Sequence, residues 1–173
     1  SFPPGMDFSL SYDVSEFLDA SIDQVLTTLL EAFLLVSLVV FIFLQNVRLT
    51  IIPILAVPVS LVGTFFFMHM MGFSLNLITL FALVLAIGIV VDNAIVVIEA
   101  VHAKMEDSGI GAQLATEQAM HEISGAIVAI TLVMSAVFLP VAFMDGPTGI
   151  FYRQFSLTMA CSIVLSGVTA LTL

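Results

Sequence analysis

Basic residues are scarce in this chain. Three Lys and Arg stand against thirteen Asp and Glu over 173 residues, a formal net charge of −10. A protein so poor in cations has little with which to hold a phosphate backbone, and nucleic acid is excluded as a partner. Cysteine is scarcer still. Cys161 is alone and lies in an apolar segment, so there is no disulfide framework and no CxxC metal motif. It reads as a small buried side chain. Catalytic signatures are missing as well. The chain contains no GxxxxGK[ST] phosphate loop, no GxSxG and no HExxH. His69, His102 and His121 fall in separate segments. These absences argue against an enzyme and against nucleotide as the energy source, and no cofactor is expected. Charge of either sign is the last shortage: 9% of residues are charged, where soluble domains run to about a quarter.

What fills the chain is apolar. Hydrophobic residues make up 61% of it, and the mean hydropathy is +1.23. The fold class this implies is all-α, a polytopic helix bundle in a lipid bilayer. About 20 apolar residues at 1.5 Å rise cover the ~30 Å hydrocarbon core. Runs of that order occur at about 25–44, 49–71, 77–99, 123–144 and 155–173, so about five transmembrane helices are expected. Residues 1–24 are a short extramembrane segment and a helical lead-in to the first span. Pro3-Pro4-Gly5 is turn chemistry, and the alternation of Phe8, Leu10 and Tyr12 with serines predicts a short strand. Pro53 and Pro58 predict a kink near the start of the second span. Residues 101–122 are polar, broken by Gly109 and Gly111. Ala112 to Glu122 reads as a separate helix on the membrane surface. Arg48 and Lys104 fall on one side of the bilayer and Arg153 on the other. The positive-inside rule then puts the 45–48 link and segment 101–122 in the cytoplasm. The chain begins without an initiator Met and ends inside an apolar run, which leads us to expect a piece of a longer protein.

One acid stands out. Asp92 follows eleven apolar or Gly residues, Phe81 to Val91, and Asn93 precedes five more, Ala94 to Ile98. A charged side chain at the centre of a membrane helix costs about 2.5–3.5 kcal/mol on insertion scales, and such residues are functional by default. Burial disfavours a charged carboxylate and a nearby cation favours it. An acid balanced between the two can load and release a proton, and its change of charge can move helices. Asp92 is therefore the candidate proton-carrying residue. Asn93, about 100° round the helix, can hydrogen-bond across an interface. Gly88, one turn earlier on the face of Asp92, is expected to admit a close helix approach. Glu99, two turns later on that face, is a secondary position on a proton path. No Lys or Arg lies inside a span, so any such counter-ion comes from elsewhere.

The stretch GIVVDNAIVVIEAV, with FLQNVRLTIIPILAVPVSLVGTF before it and FMDGPTGIFYRQFSLTMA after it, resembles the resistance–nodulation–division superfamily. The match is strongest to its hydrophobe/amphiphile efflux branch. That resemblance implies half of a twelve-helix transmembrane domain, with the five spans as its second to sixth helices and residues 1–14 ending a periplasmic porter domain. It implies a multi-pass protein of the bacterial inner membrane and a homotrimer. The assembly would work with a periplasmic adaptor and an outer-membrane channel, exporting small amphiphilic drugs in exchange for protons. It also implies two adjacent intramembrane acids. Asp92 matches the first; Asn93 stands where the second is expected, which leaves one titratable site. The Lys and Arg that the family supplies from later helices would lie beyond Leu173.

Two other functions fit parts of the sequence. Met68-His69-Met70-Met71 offers soft ligands suited to Cu(I) or Ag(I), hence heavy-metal efflux by a sister branch. Four consecutive helical residues nevertheless point to different sides. A proton-driven accessory of protein translocation within the same superfamily also uses an intramembrane acid.

Overall fold

The computed structural model describes residues 14–172. The expected strand around Phe8–Tyr12 lies outside them. Among the described residues the protein is all-helical, with α1 (Val14–Leu44), α2 (Val47–Met70), α3 (Leu77–Ser108), α4 (Ala112–Phe138) and α5 (Pro147–Thr172). A 3-10 turn, Leu139–Phe143, follows α4. Five of the described helices are long and apolar enough to cross a membrane. Helices are what lipid permits, since each satisfies its own backbone polar groups.

The turns have local causes. Between α1 and α2 only Gln45 and Asn46 intervene. Gln45 takes a left-handed φ of 47°, and the Asn46 side chain caps α2 by accepting from the Arg48 N–H at 3.0 Å. The other end of α2 leads to Asn76, which starts α3 with a capping box. Its Oδ1 accepts from the N–H groups of Ile78 (2.9 Å) and Thr79 (3.0 Å), and its own N–H donates to Thr79 Oγ1 at 2.8 Å. Gly109, with φ 61°, ends α3 in the left-handed cap that glycine enters without strain.

Two boundaries differ from the sequence reading. Residues 112–122 do not form a separate surface helix. Residues 101–108 prolong α3, and Ala112 begins a helix that runs unbroken to Phe138. Polarity changes between Glu122 and Ile123, but nothing there stops a helix; the glycine turn at 109–111 is the real break. The two extensions lie side by side, joined by a Lys104 Nζ–Glu122 Oε1 bridge of 2.7 Å. The helix α5 starts at Pro147, eight residues before the expected span, because proline suits a first helical turn. In α2 the helix continues through both Pro53 and Pro58.

Among the described residues α5 packs against α2, α3 and α4, and α1 against α2 and α3. The core lies where α3 meets its neighbours: Leu83, Ile87, Val90, Ala94 and Val97 are buried, as is Met68 of α2. Leu34, Leu35 and Ile42 of α1 and Leu132, Val133 and Val137 of α4 are exposed. That is the arrangement expected of helices whose outer faces meet acyl chains.

Candidate functional site

The site is built on α3. Residues 88, 92, 95 and 99 recur at i, i+4, i+7 and i+11, so they share one face of the helix. This face opens on a groove of about 440 Å³ between α1 and α3. α1 contributes Val36, Val39, Val40 and Phe43; α3 contributes Gly88, Asp92, Ile95 and Glu99. Gly88, Asp92 and Glu99 are thus brought together along a mainly apolar trough. Among the described residues no cation and no hydrogen-bond donor pairs with the Asp92 carboxylate, and its side chain stands exposed in the groove.

Contrary to expectation, among the described residues no other helix approaches Gly88 closely. A Cβ built there meets nothing within 4 Å. Its effect is the opposite: the missing side chain keeps the groove wide beside Asp92. Tight approaches occur elsewhere. A Cβ on Gly63 would meet Leu165 Cδ1 at 2.9 Å, and one on Gly167 would collide with Thr131 Oγ1.

Asn93 faces away from Asp92. It is buried, and its Nδ2 donates to Ser166 Oγ on α5 at 2.8 Å. Ser166 Oγ can pass its own proton towards the Ile89 carbonyl, 3.5 Å away. Asn93 is therefore committed to the α3–α5 interface. Reasoning from sequence missed Ser166. Its signal was the run Thr158, Ser162, Ser166 at four-residue spacing, which places hydroxyls along one face of α5. All three are buried.

The groove continues past Glu99. A second cavity of about 360 Å³ shares Phe43, Ile95 and Glu99 with the first, and adds Gln45, Asn46 and His102. It reaches the α1–α2 link, at the bundle end where Lys104 also lies.

The soft-ligand cluster is divided by its helix. Met68 is buried in the core, whereas His69, Met70 and Met71 are exposed. Among the described residues no three His, Cys, Asp or Glu side chains gather in a way that could hold a metal ion.

Comparison with known proteins agrees with the resemblance seen in the motifs. The profile of the AcrB/AcrD/AcrF family matches residues 1–173. The chain is 49% identical over 172 residues to the multidrug export protein AcrF of Escherichia coli, covering 99% of this chain and 17% of that protein. It is 49% identical over 170 residues to the toluene efflux pump membrane transporter TtgB of Pseudomonas putida, covering 98% of this chain and 16% of that one. The multidrug resistance protein MdtF of Escherichia coli is 46% identical over 172 residues, again 99% and 17%. The chain thus spans about a sixth of the length of the curated relatives it matches. A match along the whole chain, and five helices fit to cross a bilayer, make this a multi-pass membrane protein belonging to the AcrB/AcrD/AcrF family.

Proposed function

We propose that this chain is part of a proton-driven multidrug efflux transporter of the bacterial inner membrane, and that Asp92 carries the coupling proton. One observation carries the reading: a carboxylate in mid-helix opens on an apolar groove and has no partner among the described residues. Such an acid is costly to keep, and a protonated and a deprotonated form would interact differently with a cation from another part of the protein. Asn93 supplies no second proton, and its amide is engaged by Ser166. The coupling is then one titratable acid per chain, with Glu99 as a secondary position further along the groove.

The names of the relatives, multidrug export and toluene efflux, support amphiphilic compounds as cargo and a transporter rather than an enzyme. In this reading residues 1–24 end a periplasmic porter domain and lead into the membrane. Residues 25–173 belong to the transmembrane domain, and the 45–48 link and residues 101–122 face the cytoplasm. The whole protein works as a homotrimer with a periplasmic adaptor and an outer-membrane channel.

The test is Asp92→Asn in the full-length protein, followed by dye efflux in everted vesicles under an imposed pH gradient. Efflux is expected to fall to the level of vesicles lacking the transporter, with the protein still present in the membrane. Unchanged efflux would sink the reading.

A further inference from the structure

Resting on the assignment of Asp92 as proton carrier, we propose that His102 is the proton-transfer residue joining the Asp92 groove to the water at the α1–α2 link. The two cavities form one trough along α3, because Phe43, Ile95 and Glu99 line both. Its titratable side chains come in order. Asp92 opens on the first cavity, Glu99 on both, and His102 on the second. At 1.5 Å per residue, Glu99 lies about 10 Å along the axis from Asp92, and His102 about 4.5 Å further. The interval from Asp92 to His102 is then about 15 Å, half of the hydrocarbon core, so the imidazole stands where the trough meets the interface. Its side chain is 43% exposed. It belongs neither to the core nor to open solvent.

The surroundings of His102 suit a group that must accept a proton and give it up. On α3 itself, Glu99 lies one turn before it and Glu106 one turn after. Its Nδ1 is 3.8 Å from Glu106 Oε2, too far for a hydrogen bond. Among the described residues the other elements around it bring no titratable group to these cavities. The α1 side contributes Phe43 and Leu44, the link Gln45 and Asn46, α2 Leu49 and Ile52, and α4 Thr116. Histidine is the side chain suited to shuttling protons near neutral pH. In the proposed step the Asp92 carboxylic acid loses its proton through groove water to the Glu99 carboxylate, and the O–H bond formed there breaks in turn as His102 takes the proton. The imidazolium then returns it to bulk water. No electrons move, and Asp92 and Glu99 end as carboxylates.

The experiment uses the full-length transporter in everted vesicles, whose outer surface is the proposed cytoplasmic face. His102→Ala and His102→Gln are each compared with the wild type for dye efflux driven by a pH gradient, and for dye binding in solution. Glutamine keeps hydrogen-bonding capacity without titrating, so it covers the case in which alanine fails to fold. Both variants are expected to bind dye normally and to pump slower by on the order of a hundredfold, the low end for loss of a positioned proton-transfer group. Imidazole added outside should restore most of the rate in the alanine variant, in a saturable way. Wild-type efflux in both variants would overturn the proposal. So would slow efflux that imidazole leaves unchanged, because a structural role alone would produce that result. Asp92→Asn serves as the control that separates the two readings: if it abolishes efflux while the His102 variants pump normally, only the role of His102 fails.

Discussion

Asp92 and Asn93 are neighbours in the chain and lie on different faces of α3. The face of Asp92 is a trough: apolar walls from α1, a glycine that leaves space, and two carboxylates without partners among the described residues. The face of Asn93 is a seam, where Asn93 meets Ser166, while α2 and α5 bring Thr64 within 3.0 Å of Ser162 and Ser60 within 3.4 Å of Thr169. Lipid provides no hydrophobic drive to hold helices together, so close packing and interhelical hydrogen bonds hold the seam. A trough without such ties is free to respond to a change of charge. One helix thus offers a hydrogen-bonded side and an open side, and the boundary between them falls between residues 92 and 93.

The largest effect should come from testing the two faces with the same substitution. Gly167 is buried against Thr131, whose Oγ1, Cγ2 and Cβ all crowd a new Cβ. Threonine is stiff at χ1 and cannot easily turn aside. Gly167→Val should therefore destabilise the full-length protein by at least the ~1–3 kcal/mol typical of overpacking, read as a lower melting temperature in detergent. Gly88→Val should leave that temperature unchanged, because its side chain enters open space. It should slow efflux instead, by filling the trough beside Asp92. Equal destabilisation by the two would break the comparison.

This pair of glycines also shows how far the sequence could be read. Five spanning helices were legible, because membrane-length apolar runs separated by Pro, Gly, Asn and charge have few other interpretations. Asp92 was legible because it is the only acid between Phe81 and Ile98. Faces were not. A helix apolar all round carries no amphipathic stripe to say which side meets a partner, so Gly88 was expected to pack and Gly167 passed unnoticed. Both follow the same rule of small residues at helix contacts, and only the tertiary arrangement tells them apart. Ser166 was hidden for the same reason. The join between residues 112–122 and the fourth span was obscured differently: a change from polar to apolar residues reads as a boundary, yet helix backbone crosses it freely in the absence of a breaker.

The next effect is smaller and concerns the seam alone. The Asn93 amide donates to Ser166 while that hydroxyl keeps its own proton for the Ile89 carbonyl. Asn93→Leu removes a well-formed interhelical bond, which in membranes is worth about 0.6 kcal/mol on average and up to ~1.7. Asn93→Asp should be better tolerated, because a protonated carboxyl can donate to Ser166 and a charged one can accept from it. Normal expression and efflux in Asn93→Asp, with a lower melting temperature in Asn93→Leu, is the expected pattern. Loss of efflux in the aspartate variant would count against aligning Asn93 with the second acid of the family.

The smallest effect should separate real ties in the seam from mere proximity. A hydroxyl has one proton to give. Thr169 Oγ1 already donates to the Leu165 carbonyl at 2.8 Å, so its 3.4 Å contact with Ser60 depends on Ser60 as donor and is long. Thr64 and Ser162 each have a carbonyl four residues back, Ser60 and Thr158, at 2.8 Å. At 3.0 Å from each other, they form a bond only if one shares or releases that proton. Both lie within the buried seam. Ser60→Ala should then change stability by less than the ~0.6 kcal/mol average for a membrane hydrogen bond. Thr64→Ala should cost more, since it removes close packing in the buried seam as well as a shorter contact. Melting temperatures of the two variants and of the double variant decide the matter. Additive shifts would mean that the hydroxyl pairs act independently. A double variant less destabilised than the sum would show that the α2–α5 hydroxyls act as one network, tied together through the Ser60 carbonyl that Thr64 already holds.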